Sequence, residues 1–140
     1  MRNFLAFAMG ALVLSAALAG CGAKKDMGQA EEAVAAFHAQ LNAGNFEQIY
    51  NDSDNLLKNA TSQERFVNLL SAVHRKLGAV KSADRQGFFM NYNGQGETIR
   101  LTYKTQYDVD QASEEFVFHF NGKEPRLAGY HINSDALITQ

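Results

Sequence analysis

The stretch that decides the fold is Glu97 to Tyr107, ETIRLTYKTQY, in which large apolar and polar side chains alternate. Ile99, Leu101 and Tyr103 occupy one set of alternate positions, and charged or hydroxyl-bearing side chains occupy most of the other set. Successive side chains of a strand point to opposite faces of its sheet. This period of two therefore predicts a strand with one buried face.

Three neighbouring stretches share this alternation and complete a sheet. Strands are predicted within residues 80–92, 115–120 and 126–133, and turn-forming residues separate the four strands at 93–96, 108–111 and 121–125. Short connections join antiparallel neighbours. The second half of the chain therefore predicts a four-stranded antiparallel meander.

The loop lengths suggest a register for this meander. Pairing Tyr92 with Glu97, Tyr107 with Ala112 and Phe120 with Arg126 turns the large apolar side chains to one face. The residues expected on this inner face include no carboxylate: Phe88, Met90, Ile99, Leu101, Tyr103, Phe116, Phe118, Phe120, Ala128, Tyr130 and Ile132.

The first half of the chain has helical spacing. Apolar side chains recur every three or four residues within 30–41, 46–58 and 66–77, which is typical of amphipathic helices. Ser62 is positioned to cap the third helix and Gly78 to end it. Helices followed by a meander predict an α+β domain, with the N-terminal helices packed on the apolar face of the sheet.

This order of elements resembles the cystatin-like, nuclear-transport-factor-two-like superfamily. The resemblance rests on FHAQLNAGNF at residues 37–46, on the helix-to-strand step LGAV at 77–80, and on the strands that follow. It looks closest to small bacterial envelope proteins of unknown function, and it implies a cystatin-like roll, in which a curved sheet surrounds the helices. Because that fold hosts enzymes, ligand binders and assembly modules, the resemblance leaves the activity open.

The amino terminus has the form of a secretory signal peptide. Arg2 precedes an uncharged, mostly apolar run of 15 residues from Phe4 to Leu18, which ends in small side chains. The run is shorter than the ~20 residues that a membrane-spanning helix needs. A retained anchor helix is the alternative.

The only cysteine of the chain follows this run directly. Leu18-Ala19-Gly20-Cys21 resembles the lipobox of bacterial lipoproteins, which implies cleavage between Gly20 and Cys21 and a diacylglyceryl group on the Cys21 thiol. Membrane lipid is then the first partner of the protein. Because Gly22 rather than aspartate follows the cysteine, the resemblance implies the periplasmic face of the outer membrane in a Gram-negative source. We therefore expect a signal peptide at 1–20, a tether at 21–28 and the α+β domain at 29–140.

Composition narrows the function classes. Arg2 is the one charged residue before Cys21, so cleavage changes the formal net charge from −2 to −3, without the basic excess of a nucleic-acid binder. Phosphate-binding glycine loops and metal-ligand spacings are absent from the sequence, so we expect no metal and no cofactor.

Two sets of residues are candidates for binding. Tyr50, Tyr103, Phe118 and Tyr130 are expected between the helices and the sheet, where they line a pocket for an apolar ligand or fill an ordinary core. A second set is expected on the outer face of the sheet, where it serves a protein partner or homodimer or is simply solvated: Phe89, Val117, Leu127 and His131.

We expect a non-enzymatic, membrane-anchored periplasmic lipoprotein that presents a small domain for protein or apolar-ligand binding. The alternative is a pocket enzyme of the isomerase or dehydratase type that uses an Asp or His base. Asp52, Asp54 and His38 are the candidates for that base, and no residue is assigned as catalytic.

Overall fold

The chain forms an α+β domain in which helices pack on one face of a four-stranded sheet, as predicted. A computed structural model describes residues 19–122 and 124–139. Four helices come first: α1 (Ala19–Ala43), α2 (Phe46–Asn51), α3 (Asn55–Ala60) and α4 (Gln63–Leu77). The antiparallel strands follow in the spatial order β1-β2-β3-β4, and a short helix ends the chain: β1 (Val80–Asn93), β2 (Gly96–Tyr107), β3 (Gln111–Phe120), β4 (Pro125–Asn133) and α5 (Asp135–Ile138).

The helix boundaries follow from local chemistry. The Ser62 hydroxyl accepts a hydrogen bond from the Arg65 backbone N–H (3.3 Å) and starts α4, and Gly78 ends it with φ 79°. The predicted helix at 46–58 is instead two helices. Asp54 interrupts it because its carboxylate accepts from the Leu56 N–H (2.8 Å) and caps a new helix, α3.

Helix α1 begins at Ala19, well before the apolar pattern that predicts a helix within residues 30–41. Its buried side chains recur at three and four residues, and they face the sheet: Ala30, Val34, Phe37 and Leu41. The helix also includes residues 21–28, which were predicted to form a tether; Cys21 to Lys25 are exposed there, and Met27 packs against the core. Most of the predicted signal peptide lies outside the described residues.

The register between β2 and β3 differs by two residues from the predicted one. Tyr92 pairs with Glu97 as predicted, but Ala112 pairs with Thr105 rather than with Tyr107. A slip of two residues keeps every side chain on its predicted face, so the apolar pattern cannot reveal it. The expectation that the inner face carries no carboxylate is wrong, because Glu114 lies opposite Tyr103 and is fully buried.

A bulge changes the pairing between β3 and β4. Phe116 pairs with Tyr130 as predicted, but the register shifts between Val117 and Phe118, so that Phe118 lies opposite Leu127. The extra residue in β4 turns Leu127 into the core, where its exposure is 7%. The prediction that Leu127 lies on the outer face is therefore wrong.

Candidate functional site

The most distinctive chemistry of the fold is a buried polar cluster that we call the Glu114 cluster: Glu114, His38, Tyr107 and Tyr130. One carboxylate oxygen of Glu114 accepts from His38 Nε2 (2.9 Å). The other accepts from the Tyr107 hydroxyl (3.0 Å) and the Tyr130 hydroxyl (2.6 Å). Three donors therefore surround one carboxylate, so the charge is fully hydrogen-bonded inside the protein.

Four different elements supply this cluster. His38 comes from α1, Tyr107 from the end of β2, Glu114 from β3 and Tyr130 from β4. Phe116 packs beside it, with ring centroids 5.6 Å from His38 and 5.2 Å from Tyr130. The cluster thus ties the first helix to three neighbouring strands.

The protonation states of the cluster follow from burial and from these partners. Burial alone would raise the pKa of the Glu114 carboxyl, but the hydrogen bond from His38 and the electrostatic interaction with its ring hold that pKa below its usual value. Burial and the neighbouring Glu114 charge raise the pKa of both tyrosine hydroxyls. At neutral pH, the carboxylate is therefore ionised and the two tyrosines remain hydrogen-bond donors.

The Glu114 cluster is closed to substrates in this conformation. Glu114 has no exposed surface and His38 is 7% exposed. Each carboxylate oxygen of Glu114 already accepts a hydrogen bond from a protein donor. Glu114 could therefore exchange a proton with a substrate only if the packing around it opened. This geometry is typical of a structural network that joins elements.

The four candidate pocket residues do not surround a shared cavity. Tyr103, Phe118 and Tyr130 pack around Phe116, with ring centroids 5.9, 6.2 and 5.2 Å from it. Phe116 is fully buried and fills the space that a central pocket would need. Tyr50 lies apart from them in the helical layer, where its hydroxyl donates to the Thr61 carbonyl (2.9 Å).

An opening that we call the β4 groove lies between α3, α4 and β4. Its volume is about 300 Å³. The groove is lined mostly by apolar side chains: Leu57, Ala60, Thr61, Arg65, Phe66, Leu69, Ala128, Gly129 and Tyr130. Leu57 and Phe66 are buried, whereas Leu69 is 39% exposed and Arg65 is exposed at the rim. An apolar surface with one cation beside it suits an apolar ligand that carries an acidic group.

The outer face of the sheet retains three of its four candidate residues. Phe89 is 62% exposed, Val117 lies opposite Gly129, and His131 lies opposite Glu115. Arg100 separates Phe89 from Val117 across the sheet. Without Leu127, the apolar part of this face is interrupted by charge, which weakens the prediction of a partner-binding face.

A second polar pair, Asp54 with His119, was not predicted from the sequence. His119 Nδ1 lies 3.0 Å from the Asp54 carboxylate, and its Nε2 lies 3.0 Å from the Gln95 carbonyl. Both partners accept hydrogen bonds only, so the two contacts together require the doubly protonated ring. The pair joins the start of α3 to β3 and to the turn between β1 and β2.

The pairing raises the pKa of His119 and lowers the pKa of Asp54. The hydrogen bonds to Asp54 and to the Gln95 carbonyl raise the pKa of His119, against the opposing effect of burial. Burial would raise the pKa of Asp54, but the Leu56 N–H and His119 lower it. Of the two aspartates considered as bases, Asp54 is thus a helix cap and an ion-pair partner, and Asp52 accepts from the Gln48 side chain (2.9 Å).

The predicted lipidation residue lies at the start of α1. Cys21 is a free, exposed thiol. No helix among the described residues is both long and apolar enough to cross a membrane. Within residues 19–122 and 124–139, no group of three or more His, Cys, Asp and Glu side chains could hold a metal ion.

Comparison with known proteins gives a family but no activity. A search of curated proteins found no match. Residues 33–130, which include every member of the Glu114 cluster and the Asp54–His119 pair, match DUF4019, a family of proteins of unknown function. Because the match covers most of the chain, the protein belongs to the DUF4019 family.

Proposed function

We propose that this protein is a lipid-anchored lipoprotein of the bacterial periplasm whose α+β domain is non-enzymatic and binds an apolar ligand or a protein partner. The observation that carries the proposal is the single cysteine, which directly follows a signal-peptide-like run and the residues Leu18-Ala19-Gly20. The exposure of Cys21 is compatible with acylation and with a membrane next to the domain. The anchoring lipid chains would hold the protein on the membrane stably if two or more are attached.

An apolar ligand in the β4 groove is the binding mode that the geometry favours. The groove combines the exposed apolar side chain of Leu69, beside the buried Leu57 and Phe66, with Arg65 at its rim. Its volume of about 300 Å³ is at the lower end of the range for small-molecule sites. A fatty acyl chain, with its carboxylate beside Arg65, is the ligand class that matches this chemistry.

A pocket enzyme that uses an Asp or His base remains the second candidate. The Glu114 cluster and the Asp54–His119 pair contain the group types that proton transfer needs. In both sets, however, protein partners already occupy the polar atoms that would have to reach a substrate. Retention of fold with loss of a measured turnover in Asp54→Asn would favour the enzyme.

The anchor is tested by the intact mass of the protein purified from membranes of its native host. We expect a mass that matches residues 21–140 plus a diacylglyceryl group, with or without an amino-terminal acyl chain. A Cys21→Ser variant is the control, and it should lack the added mass. An unmodified wild-type protein that begins at Cys21 or later would contradict the anchor.

Ligand binding is tested separately with a fluorescent polyunsaturated fatty acid and a pair of leucine variants. Leu69 lines the β4 groove, whereas Leu56 is similarly exposed (49% against 39%) on the neighbouring helix α3 and does not line it. Leu69→Glu should raise the Kd about tenfold or more, because it replaces apolar contact with a charge. Leu56→Glu should bind like the wild type. Equal weakening by both variants, or no binding by the wild type, would contradict the groove as the site.

A further inference from the structure

The edge of the sheet formed by β1 carries an uncovered aromatic segment, residues 87–92 (GFFMNY), which we call the aromatic edge. Three of its side chains are unusually exposed for their size: Phe88 (59%), Phe89 (62%) and Tyr92 (82%). Phe88 and Phe89 point to opposite faces of the strand, so apolar surface flanks the edge on both sides.

The two halves of β1 differ in how they are protected. The first half carries Lys81, Asp84 and Arg85, and its register shifts twice, between Val80 and Ser82 and between Arg85 and Gly87. Charged side chains and β-bulges commonly prevent an edge strand from pairing with another chain. The aromatic edge contains no charged residue, although the Arg85 guanidinium lies 5.4 Å from the centre of the Phe88 ring. Phe89 and Tyr92 therefore lack the protection that charges and bulges give to the first half of β1.

Helix α1 brings its amino-terminal end to this same part of the molecule. Asn42, near the end of α1, bonds the backbone of Val80 at the start of β1 (2.8 and 3.3 Å), and Glu31 pairs with Arg85 farther along (3.0 Å). Asp26 then lies at the hairpin end, where it lines one surface depression with Tyr92 and the turn. Helix and strand therefore run in opposite directions, and Cys21 lies beyond Asp26 by five residues, roughly 7.5 Å of helix.

The charges near Cys21 are mixed, with an exposed basic pair next to it. Lys24 and Lys25 are exposed on the first turns of α1. Acidic groups also lie at this end, among them Asp26 and Glu97, and burial together with the hydrogen bond and the charge of Asp26 raises the pKa of Glu97. Lysines that flank exposed aromatic side chains are the combination that binds the interface of anionic membranes.

We propose that the aromatic edge docks on the lipid bilayer to which Cys21 is anchored, so that the end of the sheet at the β1–β2 turn points toward the headgroups. The inference rests on the proposed lipid anchor. Phe88, Phe89 and Tyr92 enter the interfacial layer, where aromatic side chains are favoured, and Lys24 and Lys25 face anionic headgroups. The β2–β3 turn, at the other end of the meander, then points away from the membrane.

The bilayer fits this edge better than a second copy of the chain does. A stable protein interface uses about 20–30 residues on each side, whereas the aromatic edge offers a segment of six residues. An anchor on Cys21 also holds the bilayer close to the edge at all times, so that even weak contact is populated.

The absence of tryptophan from the chain provides a direct test. Phe89→Trp places a single fluorophore on the aromatic edge, and Val109→Trp places one at an equally exposed site in the β2–β3 turn (62% and 65% exposed). Each full-length variant is expressed in the native host, purified from membranes and reconstituted into vesicles of phosphatidylethanolamine and phosphatidylglycerol with brominated acyl chains. Bromine should quench the Phe89→Trp variant several-fold more strongly than the Val109→Trp variant.

The mass of each purified variant separates this inference from the proposed anchor. A lipidated protein with equal, weak quenching at both sites would overturn the membrane docking and leave the anchor intact. Protection of the Phe89→Trp fluorophore from aqueous acrylamide without quenching by bromine would also overturn it, because a protein would then cover the edge. An unlipidated protein would overturn the anchor, and strong quenching of its Phe89→Trp variant would still support docking.

Discussion

At the scale of single residues, Glu114 is the side chain on which the core depends most. Glu114→Ala leaves His38, Tyr107 and Tyr130 without their shared acceptor in the interior. Breaking a buried, hydrogen-bonded charge network costs about 3–5 kcal/mol, so we expect a loss of this size in the free energy of unfolding, measured in urea. Glu115→Ala, on the exposed face of the same strand, should cost less than about 0.5 kcal/mol. Similar losses in both variants would contradict the role assigned to Glu114.

His119 makes the stability of the protein depend on pH. Its pKa is raised above 6.5 in the fold by Asp54 and Gln95, so its contribution is present in full below pH 6.5 and is lost as pH rises through the folded-state pKa. Urea unfolding from about pH 6 to about pH 9 should show this decline. Asp54→Asn should reduce it, since asparagine caps a helix as well as aspartate does but carries no charge. Asp52→Asn is the control, and it should keep the wild-type pH dependence.

The sequence contains part of the signal for the Glu114 cluster. Glu114 has the same parity as Phe116, Phe118 and Phe120, and the predicted pairing of Ala112 with Tyr107 extends the strand past it. The apolar alternation stops at Phe116, and for that reason Glu114 is missing from the predicted inner face. Its partner His38 lies 76 residues away, and no local pattern indicates which strand residue it meets.

At the scale of secondary-structure elements, the end of α4 depends on a glycine. Gly78 has φ 79°, and an added Cβ would lie 2.6 Å from the Asp108 carboxylate, which accepts from the Ala79 N–H. Gly78→Ala should therefore lower the free energy of unfolding by about 1–3 kcal/mol, the cost of holding a residue with a Cβ at φ 79° and ψ −152°, a backbone region that is essentially restricted to glycine. Gly28→Ala, inside α1 with open space around it, should raise it by about 0.5–1 kcal/mol. Thermal and urea unfolding of both variants would check the opposite signs.

The elements themselves were predictable, but their exact pairing was not. Alternation in β2 and helical spacing in α4 record which side chains are buried, and burial decides whether an element forms. A two-residue register slip leaves burial unchanged, so the pairing of Thr105 with Ala112 could not be read from the pattern. The bulge beside Phe118 adds one residue to β4, and nothing in the alternation of Leu127 and its neighbours indicates it.

At the scale of the whole molecule, the folded domain should begin within α1, several residues after Cys21. Residues 21–25 are exposed, whereas Met27 packs against the core and Ala30 is fully buried. A chain that starts at Asp26 should therefore unfold with a free energy within about 0.5 kcal/mol of the chain that starts at Cys21, because it loses only exposed side chains. A chain that starts at Gly44 should not fold cooperatively, because it lacks the buried face of α1 and leaves Glu114 without His38. Circular dichroism during urea unfolding would measure all three chains. A loss well above 1 kcal/mol on removing residues 21–25 would mean that this segment belongs to the domain and does not act as a tether.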